Sequence, residues 1–272
     1  MGIGLDISAA GGAEWPGDWH AALAALAWQV DLGVTEVVGD TPVNRYELAE
    51  AVRPAAKPQS APVAEAPPVQ AGADVAVAAA IAAAGRAHSL DALRDAMAGY
   101  DHCDLKRGAR NLVFADGNPA ARVLVLGEAP GRDEDQEGRP FVGRAGQLLD
   151  RMFAEIGLTR TALDPAKALY ITNVMPWRPP ANRDPEPAEI AMMRPFLERH
   201  IALVNPEIIV VMGNTPLMAM TGAKGIVRAR GVWGQALGKP LLPMVHPAYL
   251  LRNPIAKREA WADLLALRAR LG

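Results

Sequence analysis

Three carboxylates and one histidine are the side chains of this sequence best placed to do acid–base chemistry. Glu128 comes directly after the apolar run 123–126, and Glu134 and Asp135 follow within seven residues. A carboxylate in such a place can orient a water molecule or stabilise a developing cation. His246, in the segment VHPAYLLRNP, can donate a hydrogen bond to a developing anion. The alternative interpretations are a solvated charge cluster for the acids and a hydrogen-bonded core residue for His246.

The carboxylates lie in the segment 127–146, GEAPGRDEDQEGRPFVGRAG. This segment is too rich in turn residues for a helix and too charged for a core strand, so we expect a loop. Its start would bring the main chain close to a planar or phosphate-bearing ligand, and Phe141 would offer a stacking face. The residues expected to form this pocket wall are Gly127, Ala129, Pro130 and Gly131. The alternative is an acidic surface loop, and the glycine order is not that of a dinucleotide-binding turn.

Short apolar runs alternate with helical patterns from about residue 101 onward, which is typical of an α/β protein. The predicted strands are 122–126, 169–173, 208–212 and 241–245. The predicted helices of this part are 145–156, 187–204, 215–221 and 254–271. We therefore expect three α/β/α layers around a roughly four-stranded, mostly parallel central sheet.

Polar residues stand at the end of each predicted strand. They are Glu128, Asn173, Asn214 and His246. Because the carboxyl ends of parallel strands lie at one edge of a sheet, we expect these four side chains to converge there.

Further side chains are suited to contacts with nucleic acid. Asn173 and Asn182 can each donate and accept a hydrogen bond, as reading a base edge requires. The residues of an apolar tip that could enter a base stack are Tyr249, Leu250, Leu251 and Arg252. Contacts to phosphates are expected from Arg178, Arg183 and the segment 224–228. The alternatives are a strand-end turn for Asn173, a core-facing helix start for the tip, and scattered surface arginines.

Charge and composition divide the chain of 272 residues into unlike parts. Residues 1–100 carry 5 basic and 12 acidic residues, a net charge of −7, and residues 101–272 carry 23 and 18, a net of +5. We predict an N-terminal helical appendage at 1–53 with a helix over 18–30, and a Pro- and Ala-rich linker at 54–73. The main domain is predicted at 74–272, with its core at 100–272 and with helices over 75–85 and 89–98, the second capped by Ser89.

The single cysteine, Cys103, excludes an intramolecular disulfide and any four-cysteine metal or cluster site. We expect no secretory signal and no transmembrane helix, because the sequence has neither a basic, apolar leader nor an apolar run of about eighteen residues. The expected location is the cytoplasm, without membrane association.

Four blocks of residues 100–272 resemble the family 4 uracil-DNA glycosylases. Residues 127–149 are similar to the family's first motif, GE(G/A)PG-x-x-ED-x-x-G-x-PFVG-x-AG-x-LL. The other blocks follow in order: ITNV at 171–174, RPP-x-NR-x-P at 178–185 and HP-x-YLLRNP at 246–254. Residues 1–99 lie outside the resemblance.

The resemblance implies hydrolysis of the N-glycosidic bond of a flipped-out uracil in DNA, a step of base excision repair. It implies that Phe141 stacks on uracil, that Asn173 reads its Watson–Crick edge, and that His246 stabilises the departing anion at O2. Backbone groups of 127–131 would hold the base, and the tip at 249–252 would probe the base stack. Glu128 and Glu134 would act on water or on the sugar cation, and the resemblance does not decide which of the two carboxylates positions the water.

The family typically binds a [4Fe–4S] cluster through four cysteines, and this chain departs from that pattern. Alignment of the flanking motifs places the four positions at Tyr100, Cys103, Trp177 and Met192. We expect no cofactor, because one thiol cannot hold a cluster and large side chains can fill its place.

Two other functions stay open at this point. The first is a catalytically degenerate DNA- or protein-binding module, and the second is a glycosylase for another deaminated base. The expected partner is uracil-containing DNA, the expected state is a monomer, and the acidic N-terminal arm is expected to bind an unknown protein.

Overall fold

The computed structural model describes residues 69–272, with side-chain burial from residue 74 onward. The predicted appendage 1–53 and its helix 18–30 lie outside the described residues, as does the predicted linker up to residue 68. Helix α1, Val69–Arg86, begins inside the predicted linker. Helix α2, Leu90–Ala98, begins as predicted after Ser89, whose side chain accepts a hydrogen bond from the Ala92 N–H at 3.1 Å.

A six-stranded sheet forms the centre of the described part, in the order β1-β3-β2-β4-β6-β5. Its strands are β1 (Asp116–Gly117), β2 (Val123–Gly127), β3 (Leu169–Asn173), β4 (Ile208–Met212), β5 (Gly234–Ala236) and β6 (Lys239–Met244). The four central strands are parallel, and the short strands β1 and β5 are antiparallel edges. The predicted parallel sheet is confirmed, and the two edge strands escaped prediction because neither contains an apolar run.

Helices cover both faces of the sheet. After α1 and α2 they are α3 (Leu105–Gly108), α4 (Arg132–Glu137), α5 (Arg144–Ala154), α6 (Pro187–Val204), α7 (Asn214–Thr221), α8 (Ile226–Ala229), α9 (Pro247–Arg252) and α10 (Lys257–Leu271). The predicted helix 254–271 begins instead with a 3₁₀ turn at Pro254–Ala256 and continues as α10. Within residues 69–272 no helix is long and apolar enough to span a membrane.

Two large apolar clusters, one on each face of the sheet, form most of the core of the described residues, and Val245, Leu250 and Ala260 form a small third cluster. Alternate residues of β2 face opposite sides, so that Leu124 and Leu126 belong to one cluster and Val123 and Val125 to the other. The first cluster contains buried residues of α1, α2 and α6, and the second contains buried residues of α5 and α10. This arrangement is the predicted three-layer α/β/α architecture.

The prediction that 127–146 is a loop is wrong for its centre, which forms helix α4. The Gly131 N–H donates to the Glu134 carboxylate at 3.1 Å, which satisfies a free donor at the start of the helix. The acidic first turn complements the positive end of the helix dipole. Gly138, with φ +72°, ends the helix in the left-handed conformation.

Candidate active site

A cavity of about 610 Å³ opens at the carboxyl edge of the parallel strands. The four predicted strand-end residues all line it: Glu128, Asn173, Asn214 and His246. Ala129, Pro130 and Gly131 form part of its wall, as the sequence predicts. Gly127 does not line the cavity but lies behind it, where a Cβ atom would overlap the Phe141 ring and the Asn173 carboxamide.

Phe141 is held in a backbone conformation that non-glycine residues rarely adopt, with φ +54°. The Arg160 guanidinium fixes this turn, because it donates to the carbonyl oxygens of Pro140 and Phe141 at 2.9 Å each. Gly146 allows the approach of α5, since a Cβ there would overlap the Phe141 carbonyl oxygen. The Phe141 ring therefore sits in the cavity as a rigid platform.

The Phe141 ring is stacked on the imidazole of His246, with centroids 5.3 Å apart and an angle of 28° between the planes. In such an offset stack the imidazole occupies the layer next to the phenyl ring. A flat ligand stacked on Phe141 would lie in that same layer, edge to edge with His246. Edge to edge is the arrangement in which a ring N–H can donate to a carbonyl oxygen.

Asn173 presents a buried carboxamide at the end of β3. The residue is 7 % exposed, and its Oδ1 has no hydrogen-bond partner within residues 69–272. An unpartnered buried amide oxygen costs about 1–3 kcal/mol, so a retained one points to a ligand that supplies the partner.

His246 caps helix α9 and is fixed as one neutral tautomer. Its Nδ1 accepts a hydrogen bond from the Ala248 N–H at 3.1 Å, so the proton of the neutral ring is on Nε2. Burial, and then the Arg252 guanidinium, lower the pKa of His246 to about 4, against an opposing effect of Glu134. The ring is therefore a neutral Nε2–H donor at neutral pH.

Glu128 is half-buried at the cavity and anchored by Thr215. The Thr215 hydroxyl donates to its Oε2 at 2.6 Å. Burial raises the pKa of the Glu128 carboxyl, the Thr215 hydrogen bond opposes this shift, and Asp184 adds to it. Among the described residues the other carboxylate oxygen has no hydrogen-bond donor, so it can face a water molecule or a cationic ligand.

Glu134 lines the same cavity but already accepts three backbone hydrogen bonds. Besides Gly131, the Val142 and Gly143 N–H groups donate to it at 3.0 and 2.9 Å. Asp135 accepts from the backbone of Arg110 and Asn111 and does not line the cavity, so its predicted place in the site is wrong. Both acids serve the folding of this segment.

Residues 178–185 form the rim of the cavity, and hydrogen bonds from their own side chains stabilise this segment. Arg183 lines the cavity and makes a bidentate pair with Glu189, with N–O distances of 2.9 and 2.6 Å. Arg178 donates to the Asn182 side chain at 2.8 Å, and of these two residues only Asn182 lines the cavity. The predicted phosphate contacts of these arginines stay a prediction.

The predicted apolar tip is the helix α9, and its residues point in different directions. Tyr249 and Arg252 line the cavity. Leu250 is 1 % exposed and packs in the core, so its predicted insertion into DNA is wrong, because the helical period turns it inward. Leu251 is 36 % exposed and stays available.

Thr215 and Arg160 are the site residues that sequence reasoning missed. Thr215 follows a strand end and could have been found by the same rule as Asn214. Asn214 itself holds the 225–226 backbone with its Oδ1, which accepts two N–H bonds at 3.1 and 2.9 Å. Nothing in the sequence signals Arg160, which reaches Phe141 from 19 positions away.

Three of the four positions assigned to cluster ligands lie in one apolar core cluster, and the fourth, Met192, packs against it. Tyr100, Cys103 and Trp177 are buried, and the Tyr100 hydroxyl donates to the Ala76 carbonyl at 2.7 Å. On α6 the buried methionine is Met193, at 1 % exposure, whereas Met192 lies at the margin of the cluster. No group of three His, Cys, Asp or Glu side chains suited to a metal occurs in the described part of the chain. These residues do not fit a [4Fe–4S] cluster, which takes four thiolates.

The fold and the site define an α/β protein with a pocket for a flat ring that carries hydrogen-bonding groups on its edge. The family model for the uracil-DNA glycosylase superfamily matches residues 114–265. The chain belongs to this superfamily, and the predicted fold class is confirmed.

Several curated proteins named type-4 uracil-DNA glycosylase are similar to this chain. The one from Thermotoga maritima is 42 % identical over 154 residues, which cover 56 % of this chain and 77 % of that protein. The one from Sulfurisphaera tokodaii is 37 % identical over 190 residues, with 66 % and 84 % covered. The one from Archaeoglobus fulgidus is 37 % identical over 172 residues, with 59 % and 82 % covered.

Proposed function

We propose that this chain removes uracil from DNA by hydrolysis of the N-glycosidic bond, as a DNA-repair enzyme. The superfamily match and the type-4 relatives support this function. The observation that carries it is the Asn173 Oδ1, buried beside the Phe141 platform and without a hydrogen-bond partner among the described residues. A pyrimidine edge is a ligand that supplies both a donor and an acceptor to such an amide.

The base enters the cavity flipped out of the DNA stack, at a cost of a few kcal/mol. It stacks on Phe141, with Asn173 at its Watson–Crick edge and the 129–131 wall around it. The gap that the flipped base leaves in the DNA stack faces Tyr249, Leu251 and Arg252. The DNA phosphates lie nearer to Arg178 and Arg183. In this orientation a base carbonyl, O2 by the family resemblance, meets the His246 Nε2–H.

Bond cleavage leaves negative charge on the uracil and positive charge on the sugar. The neutral His246 donates its Nε2–H to the uracil oxygen as the charge develops, in the manner of an oxyanion donor. Glu128 supplies the carboxylate that orients the attacking water and stabilises the sugar cation. Glu134 acts as a positioning residue, because its oxygens already hold the wall and the Phe141 turn.

Exchange of the two carboxylates for amides should separate these roles. We expect Glu128→Gln to lower kcat by about 10²–10⁴-fold with an almost unchanged melting temperature. Glu134→Gln should lower stability by about 1–3 kcal/mol, because an amide cannot accept all three N–H bonds, and should reduce kcat less. Single-turnover excision and thermal unfolding of both variants provide the measurement. The opposite ranking in kcat would assign the water to Glu134.

The function itself is tested by incubation of the full chain with uracil-containing single- and double-stranded oligonucleotides. Release of free uracil without strand cleavage is the expected result. Binding without release would favour the degenerate module. Release of hypoxanthine or xanthine, but not of uracil, from matched oligonucleotides would favour another deaminated base.

We also propose that the enzyme works without a cluster, whose place is filled by Tyr100, Cys103, Trp177 and, instead of the predicted Met192, Met193. Their burial in one apolar cluster supports this assignment. The protein purified from iron-supplemented cells should contain no stoichiometric iron, and a chelator should leave excision unchanged. Bound iron whose loss abolishes excision would contradict the proposal.

The remaining predictions on organisation stand as proposals. We propose a monomer in the cytoplasm, with the main domain at 74–272 and an acidic arm that binds a protein. Sedimentation equilibrium of the full chain checks the first of these, since a dimer mass would contradict it.

A further inference from the structure

A second cavity, of about 440 Å³, lies on the other side of helix α9 from the active site. Its floor is apolar, from Leu148 and Met152 of α5 and Leu250 of α9. Two large apolar side chains at this cavity stay open to solvent: Leu251 is 36 % exposed and Trp261, on α10, is 42 % exposed. We call this cavity the α9 groove.

Two basic side chains line the α9 groove together with the Trp261 indole. Arg151 and Lys257 line the groove and are exposed, and Glu155 is the one acid among its lining residues. An exposed indole in a groove that is also lined by basic side chains suits a nucleobase and its phosphate, because every base has a face that can stack. The negative charge of a DNA strand complements the two basic side chains and the single acid that line the groove.

Helix α9 is the wall that the two cavities share. Ala248, Tyr249 and Arg252 line the active site, whereas Leu250 and Leu251 line the α9 groove. A helix with its side chains is about 10–12 Å across. Stacked nucleotides rise about 3.4 Å each, so this width corresponds to roughly three nucleotides of one strand.

We propose that the α9 groove binds an unpaired base of the same DNA strand, about three nucleotides from the uracil, stacked on Trp261. This inference rests on the proposed function, because α9 must face DNA for the groove to continue the same interface. A paired base is closed to such a contact, so the groove favours single-stranded substrate. The shared helix and the excess of cations favour DNA over a protein as the occupant.

Trp261→Ala should weaken binding of a single-stranded uracil oligonucleotide of about fifteen nucleotides by roughly tenfold, the lower part of the range for base stacking. Binding of a duplex of the same sequence should change less than twofold, as should binding of a strand cut to one nucleotide on each side of the uracil. Trp261→Phe should restore most of the affinity. Leu265→Ala is the matched control, since Leu265 is an exposed apolar residue of α10 that does not line the groove.

Fluorescence anisotropy measures the affinities, and uracil release is followed in the same samples. Equal losses of affinity for all three DNAs would overturn the proposal. No loss of affinity for any of them would also overturn it, and a protein would then be the next occupant of the groove to test. Binding is measured independently of chemistry. If the unmodified chain releases no uracil, the proposed function is contradicted. The binding data for Trp261→Ala still decide separately whether the α9 groove binds DNA.

Discussion

Replacement of Asn173 by Asp should lower uracil excision by a factor on the order of 10⁴, the discrimination reached by sites built to hydrogen-bond a polar edge. The Asn173 carboxamide can offer a donor and an acceptor, whereas a carboxylate offers acceptors alone. The carboxylate would also face the carbonyl oxygens of uracil with a negative charge. Single-turnover release from a single-stranded oligonucleotide gives the loss directly.

Asn214→Asp is the matched control for the charge that this exchange introduces. Asn214 lines the same cavity, and its Oδ1 already accepts the N–H groups of Gly225 and Ile226. A carboxylate keeps both of these bonds, so we expect a loss below about tenfold, the size of one neutral hydrogen bond or less. Similar losses in the two variants would mean that charge in the cavity, and not the reading of the base, explains the effect.

Replacement of His246 by Ala should lower the rate of the chemical step by about 10²–10³-fold, the usual effect of removing one oxyanion donor. The exchange also removes the cap of α9 and costs roughly 1 kcal/mol of stability. His246→Asn separates the two effects, because Asn is a favoured cap but is too short to reach the base. We expect the Asn variant to lose the same rate while it keeps the melting temperature.

The pH profile gives a second measurement on His246. With its pKa lowered to about 4, the imidazole stays neutral from pH 5 upward, so kcat/KM should show no inflection near pH 6.5. A fall in activity as the pH rises through about 6.5, absent in His246→Asn, would show that the cation, not the neutral ring, is the donor. Because the folded-state pKa lies below the unfolded value, this group stabilises the fold above pH 6.5. That contribution is lost as the pH falls from about 6.5 to about 4.

The sequence predicts the central strands well because each is a short apolar run buried on both faces. The predicted strands 169–173 and 208–212 and the predicted helix 187–204 have the bounds found in the structure. The composition of 127–146 favours a loop, whereas the local pattern of the same segment favours helix α4. Gly131 followed by Glu134 at the third helical position is a capping arrangement that the sequence contains.

The site could be predicted only as far as strand ends determine it. Glu128, Asn173 and His246 meet because parallel strands share one edge. Thr215 also follows a strand end, but its hydrogen bond to Glu128 joins residues 87 positions apart, and no local pattern predicts that contact. Leu250 points inward because it lies on the core-facing side of α9, and the sequence near Leu250 does not determine which side of this short helix faces the core.

Gly127 and Gly146 carry no chemistry, yet they set what the site tolerates during evolution. A side chain at either position would occupy space that Phe141 or Asn173 already fills. A library randomised at both positions and selected for uracil removal should return glycine almost alone, whereas rim positions such as Asn182 should vary. The shape of this pocket is thus inherited through two positions where no side chain can be added.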